Sequence, residues 1–398
     1  MTCTESALRP YADEAFGKLK VQFQNSSNYW QLGHSFDTII DYLAEVNPAA
    51  ALGFGQIALL AYNRSTYNAC WYDDFGWWGI ASLKASQHKD LFPDAFGEFA
   101  NISRSCWDTM YDNAPNVWKN NQGFTEFKPR FDGGVWNADW TKAGPTTCNN
   151  MPCVPRLPSA CTDPAAADNL CGIQNTVTNG LYLVLGERRY MQADCFECWD
   201  AAISEYAFLD HWFGVADIDP ERALWNPVEG GAVVRERMGT YAPDDKGVCQ
   251  TVCVFEPGLA WAGDQGIILG GLVDRMTALT SKSSEYQVLL QRAKAIAAGV
   301  KSQTEIKKKN PGILTAWVTE TQGGDPGDYN TGVGVYWRYL LYAYQNNADL
   351  KTYFEQTGQT DFVCSNAQHI TPLIGSDNFV DLTNYLAVLV AAIVMSPS

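Results

Sequence analysis

Two aspartates, Asp73 and Asp74, stand side by side in the segment W-Y-D-D-F-G-W-W-G-I-A, Trp71 to Ala81. Adjacent carboxylates repel each other and add nothing to stability unless cations neutralise them, and the segment carries no Lys or Arg. A bare Asp-Asp pair is ordinarily a helix cap and its neighbour. Large aromatic residues on both sides give this pair a different setting. Glycoside cleavage needs two carboxyl groups, one to attack or stabilise the oxocarbenium-like carbon and one to protonate the leaving oxygen. In retaining enzymes the two sit about 5–5.5 Å apart, within reach of neighbouring side chains that converge. A helix beginning just after the pair favours the anion on one aspartate. That charge, with apolar neighbours, raises the pKa of the other towards the range of a working acid. Within the same motif Tyr72 and Trp78 are candidates for contact with a sugar.

The elements that must hold such a pair are helical. Apolar residues at Phe36, Ile39, Ile40, Leu43 and Val46 predict a helix over Ser35–Val46, capped by Ser35 and stopped by Asn47-Pro48. Further helices are expected over Ala49–Tyr62, Trp77–Ser86, Pro93–Asp112, Asn175–Tyr190, Cys195–Phe213, Gln265–Thr280 and Ser284–Lys301, the last capped by Ser283. Thr331–Tyr344, Asp349–Gln356 and Asp377–Met395 complete eleven segments. Strand signals are few, at Ala232–Met238 and Val252–Phe255. No linker divides the chain, so the expected architecture is all-α: one closed barrel of alternating inner and outer helices in a single domain. Inner helices crowd the axis and should be rich in small residues, as Gly266, Gly270, Gly271, Gly332 and Gly334 are.

Composition narrows the partners. The 398 residues carry a formal net charge of -16, which disfavours nucleic acid and anionic membranes and suits a neutral substrate. Trp, Tyr and Phe make up 13% of the chain; such rings offer flat faces on which sugars stack. Twelve cysteines point to an oxidising compartment and up to six disulfides, with Cys148, Cys153, Cys161 and Cys171 in a stapled loop. Sequons at Asn25, Asn63 and Asn101 agree with a secreted glycoprotein. The run Tyr385–Met395 is too short to span a bilayer and reads as a buried final helix. Cys195, Cys198, Cys249 and Cys253 lack zinc-ribbon spacing and the four histidines lack ligand spacing, so no metal or cofactor is expected. The Asp-rich stretches Asp244-Asp245 and Asp325–Asp328 read as solvated loops rather than calcium sites.

The segment Trp71–Ala81 resembles the Asp-Asp signature of glycoside hydrolase family 76, the endo-α-1,6-mannanases and related fungal cell-wall enzymes. Weaker pieces follow in the family's order: Gly133–Asn137, Gln174–Leu183, Trp261–Leu272 and Tyr329–Leu340. The likeness covers roughly residues 30 to 345. It implies an (α/α)6 barrel and a retaining mechanism, with Asp73 as nucleophile and Asp74 as general acid/base. It also implies sugar contacts at Trp136, Asn137, Asn179, Asp264 and Gln265. Asp264 stands where the family has Asn, and the stretches Thr146–Cys171 and Asp217–Pro257 differ from it.

The expected function is that of a secreted, monomeric glycosidase on α-1,6-mannan or a related polysaccharide. A transglycosylase on the same barrel and a carbohydrate-binding protein without turnover are the alternatives. No phosphate-binding Gly loop, G-x-S-x-G elbow or H-E-x-x-H occurs.

Overall fold

The computed structural model describes residues 3–65, 71–113, 134–135, 137, 175–193, 195–214, 223–236, 240–243, 249–253, 259–319 and 327–396. Thirteen α-helices occur among these: α1 (Glu5–Asn25), α2 (Tyr29–Glu45), α3 (Phe54–Arg64), α4 (Tyr72–Gln87), α5 (Phe96–Asn113), α6 (Thr176–Ala193), α7 (Phe196–Gly214), α8 (Ala262–Thr277), α9 (Ser284–Glu305), α10 (Gly332–Asn346), α11 (Ala348–Gln356), α12 (Gln359–Ile370) and α13 (Phe379–Met395). Two antiparallel hairpins join α7 to α8. In one, β1 (Trp225–Val228) pairs with β2 (Gly231–Val234); in the other, β3 (Thr240–Pro243) pairs with β4 (Cys249–Cys253).

Six helices form an inner ring. The order α2, α4, α6, α8, α10, α13 runs from neighbour to neighbour, and α13 packs back on α2. The remaining helices cover them from outside: α1 lies on α13, α5 on α4, α7 on α6, α9 on α8 and α11 on α10. The ring is parallel, because neighbours meet at matching heights. Gly33 of α2 faces Trp78 of α4, Gly76 faces Leu181 of α6, Gly180 faces Ile267 of α8, and Gly266 faces Tyr336 of α10. All six inner N-termini therefore open at one end, the mouth of an (α/α)6 barrel. At Gly266 the backbones nearly touch; a Cβ there would stand 2.8 Å from the Tyr336 Cα, so only glycine fits.

Inner helices are buried on nearly every side. In α4 every residue from Phe75 to Leu83 is buried, and in α8 every residue from Ala262 to Asp274. Such helices draw their stability from burial, at about 25 cal/mol per Å² of apolar surface, rather than from an amphipathic stripe. Several boundaries differ from the sequence expectation for that reason. α2 begins at Tyr29, capped by Asn28, whose side chain accepts from Gln31 N at 3.2 Å. Ser35 is no cap; it is buried and bonds Thr383 Oγ1 of α13 at 2.8 Å. α4 begins at Tyr72 rather than Trp77, which places the aspartate pair inside the first turn. Helices α1 and α12 were not anticipated, whereas the Ser283 cap on α9 is present.

The far end of the barrel is plugged by buried ion pairs. Asp37 of α2 meets Arg338 Nε at 2.8 Å and Lys84 Nζ at 2.9 Å, and Lys84 also meets Asp41 at 2.5 Å. Arg188 of α6 meets Asp274 of α8 at 2.8 Å, and Tyr342 donates to the same carboxylate. These groups join five of the six inner helices across the axis. Two disulfides lie among the described residues. Cys3–Cys364 ties the chain just ahead of α1 to α12, and Cys195–Cys198 closes the start of α7. The stapled loop expected around Cys148–Cys171 lies outside the described residues, as do Asp244, Asp245 and Asp325. No described helix is long and apolar enough to cross a membrane.

Candidate active site at the barrel mouth

Asp73 and Asp74 occupy the second and third positions of α4, where backbone N–H groups have no partner within the helix. Two of these, the N–H groups of Asp73 and Asp74, favour the Asp73 carboxylate as an anion. Both side chains are largely buried yet each keeps some surface open to solvent. Burial pushes the Asp73 carboxyl up to about 7, against the lowering effect of those two N–H groups; the charge of Asp328 adds to the rise. Burial also raises Asp74, well above the usual carboxylate range, helped by the charges of Asp73 and Asp328. Among the described residues no cation pairs with either. One further atom, Asp73 Oδ1, is buried without a hydrogen-bond partner.

Asn137 lies against this turn. The Asn137 carbonyl accepts from Tyr72 N at 3.0 Å, so Asn137 stands next to the pair. Its side chain is 5% exposed and its Oδ1 lacks a partner. Val135, two residues earlier, is held by Asn179 of α6. Asn179 Oδ1 accepts from Val135 N at 2.9 Å, and its Nδ2 donates to Val135 O at 3.1 Å and Asn175 O at 2.8 Å. Both ends of that amide are therefore engaged by backbone. Asn179 shapes the site without facing it.

Gln265 of α8 acts likewise on the first hairpin. Its Oε1 accepts from Val234 N at 2.7 Å, and its Nε2 donates to Val234 O at 2.6 Å and Trp261 O at 3.0 Å. Asp264, beside it in the first turn of α8, is fully buried. The expectation of direct sugar contact is thus corrected for Asn179 and Gln265, whose amides are spent on backbone. It is corrected for Trp78 as well. That indole is fully buried, lies against Gly33, and donates from Nε1 to Tyr29 O at 2.7 Å. One turn down α4 from the pair, it belongs to the core. Tyr72 is 3% exposed and joins the site through its backbone. Trp136 lies outside the described residues.

The mouth also contains groups that motif reading passed over. Asp328, on a 3₁₀ turn at Gly327–Thr331 before α10, acts electrostatically on both catalytic candidates; its own carboxyl is raised by partial burial. The next residue, Tyr329, donates from its hydroxyl to Glu236 Oε1 at 2.9 Å. Glu236 in turn accepts, through its backbone carbonyl, from Thr176 N at the start of α6. Asp328 belongs to the stretch expected as a solvated loop, and its position just ahead of an inner helix is the signal in the sequence that marks it.

No protein-family model matches the chain, and no curated protein does. Solved structures match along almost its whole length. The GH76A α-1,6-mannanase from Salegentibacter sp. HEL1_6 superposes with a TM-score of 0.62 at 16% identity, over 97% of this chain and 100% of that one. The same figures hold for its inactive variant, in which two consecutive aspartates are replaced by asparagine, in complex with α-1,6-mannotriose. Dfg5 from Chaetomium thermophilum, in complex with glucosamine, gives 0.58 at 13% identity over 92% of this chain and 81% of that one. A polysaccharide lyase gives 0.53 at 10% identity over 98% and 97%. The fold is that of glycoside hydrolase family 76, and a lyase shares its outline, so the chemistry must be argued from the site.

Proposed function

We propose that this chain is a secreted, retaining glycoside hydrolase that cleaves α-1,6-linked mannan or a related cell-wall glycan. The observation that carries the reading is the Asp73–Asp74 pair on the first turn of α4, partly open to solvent and paired with no cation among the described residues. A structural pair would be expected to have acquired a counter-ion. The two carboxyls also differ in the way the chemistry requires. At Asp73 the backbone N–H groups of Asp73 and Asp74 favour the anion, which suits a nucleophile. Asp74 is raised well above its usual range by burial, helped by the charge on Asp73, which suits an acid that holds its proton near neutrality.

In the first step the Asp73 carboxylate attacks the anomeric carbon while Asp74 gives its proton to the leaving glycosidic oxygen. The glycosyl ester on Asp73 is then opened by water, from which Asp74, now a carboxylate, removes a proton. The mannan specificity rests on the bound α-1,6-mannotriose of the structural neighbour and on the Asp-Asp signature. Secretion rests on the cysteine content, the disulfides and the three sequons, whose asparagines are all exposed on helices of the outer layer.

The test is oligosaccharide release from a panel of polysaccharides that includes α-1,6-mannan, with Asp73→Asn as control. Release that the variant loses supports hydrolysis by the pair. Release that persists in the variant removes Asp73 as nucleophile. Lengthened products in place of shortened ones would move the activity to glycosyl transfer through the same intermediate.

A further inference from the structure

One wall of the mouth is aromatic and held unusually firmly. Trp317 and Tyr329 stack with ring centroids 4.8 Å apart at 37°, and Trp261 meets Tyr329 edge-on at 5.7 Å and 81°. Trp261 is buried and donates from Nε1 to Tyr329 O at 2.6 Å, whereas Trp317 and Tyr329 each keep exposed surface. Trp261 caps the start of α8 and Tyr329 lies on the turn just before α10, so the rings stand at the same end of the barrel as the Asp73–Asp74 pair in the first turn of α4.

The backbone that presents Trp317 is fixed at five points. Val318 N donates to Ala260 O at 2.9 Å, and Ala316 O accepts from Ala262 N at 2.8 Å, which bonds the segment to the start of α8. Asn366 of α12 accepts from Leu314 N at 2.8 Å and donates to Gly312 O at 2.9 Å. Lys307, only 7% exposed, donates from Nζ to the Trp317 carbonyl at 2.6 Å. Burying an ammonium is unfavourable. Here that group anchors the carbonyl of the half-exposed tryptophan. A surface loop with only a packing role needs no such anchor; a ligand-stacking ring gains affinity from being set in place beforehand.

We infer that Trp317, backed by Tyr329, is a sugar-stacking subsite that takes a neutral pyranose ring of the substrate on one side of the cleaved bond. The inference rests on the glycosidase reading above. The apolar C–H face of a pyranose lies on the indole and its hydroxyls reach the polar rim, where Asp328 is exposed. The carboxylates of Asp328 and Glu236 beside the rings disfavour an anionic sugar such as a uronate.

Calorimetry in the Asp73→Asn background, where the substrate is not consumed, tests it with α-1,6-mannotetraose as probe. Trp317→Ala should weaken binding about 5- to 30-fold, and Trp317→Phe, which keeps a ring, should stay within about threefold of the parent. Circular dichroism of both variants guards against loss of fold. Unchanged affinity in folded Trp317→Ala would overturn the subsite. So would equal losses in the Ala and Phe variants, or tetraose that binds none of the proteins. Turnover of α-1,6-mannan by the parent and by Asp73→Asn is scored separately. If Asp73→Asn abolishes release while Trp317→Ala binds normally, the subsite fails and the glycosidase reading stands.

Discussion

At the closed end of the barrel Asp37, Asp41 and Asp274 each meet a cation within 2.9 Å, from Lys84, Arg338 or Arg188. At the mouth, Asp73 and Asp74 of α4 meet no cation among the described residues. The contrast lies in the partners and not in the direction of the pKa shift. Burial works to raise all five carboxyls; at Asp37 the charges of Arg338 and Lys84 win and lower it, while Asp41 and Asp274 stay raised. Glu205 of α7 is raised well above its usual range by burial alone, with Oε1 unpartnered. A raised carboxyl therefore does not by itself mark a site. What sets the mouth apart is two such groups in one turn, uncompensated and reached by solvent. Carboxylates of the closed end hold the ring together, and those of the mouth are left able to react.

The largest expected effect separates the two ends outright. Asp74→Asn should lower glycan turnover by about 10²- to 10⁴-fold, the range for a lost general acid, with the fold intact by circular dichroism. The sign for stability is the reverse of the usual carboxylate. Because the folded state holds these protons more tightly than the unfolded chain does, the pair weakens the fold as pH rises from about 4 through the folded pKa values. Asp73→Asn should accordingly raise the thermal midpoint at pH 7 and change it little at pH 4.

Arg338→Met should do the opposite. It leaves Asp37 buried without its main counter-ion and should cost about 3–5 kcal/mol in denaturant unfolding. For Asp37, whose pKa is lowered by folding, the contribution is present above about pH 4 and fades as pH falls. If Arg338→Met proved as stable as the parent, the plug would lose its structural role.

A pH profile of kcat/KM comes next. It should be bell-shaped, with an acidic limb near 7 from the pair acting as a coupled unit and loss at higher pH as Asp74 ionises. A profile flat from pH 4 to 7 would break the assignment of roles. Asn179→Ala should destabilise the fold by about 1–3 kcal/mol, since it strips both Val135 bonds, and raise KM by releasing the segment that carries Asn137. Smallest of all, Glu205→Gln should leave turnover unchanged and stabilise the protein at pH 7 more than at pH 4, read from thermal midpoints at the two values.

The sequence carried the fold class and singled out the candidate pair, for reasons that can be stated. Small residues at matching heights on successive helices, such as Gly266 and Gly334, are required wherever inner helices meet, and they were visible as glycine-rich starts. The first turn of α4 was not visible. A helix buried on all sides has no polar face to set its period, and Asp-Asp followed by Phe-Gly imitates a loop. Pro10 disguised α1, although Leu8, Ala12, Ala15, Leu19 and Phe23 keep one face buried. The role of Trp78 was misjudged because nearness in sequence to Asp74 is not nearness in space, since one turn of helix carries a residue away from the mouth. Asn179, Gln265 and Lys307 bond backbone far along the chain, as do Glu236 and Tyr329 with each other. Pairings of that kind leave no local pattern to read.

The Cys3–Cys364 disulfide has a consequence for how the molecule tolerates damage. Five of the six inner helices lie between its two cysteines, so a single cut in any connection between Cys3 and Cys364 leaves both fragments covalently joined. Limited proteolysis at one loop should give one band on a non-reducing gel and two after reduction, with the helices still docked. The chain between the cysteines is in effect a circle, and a circle must be cut twice before a piece can leave.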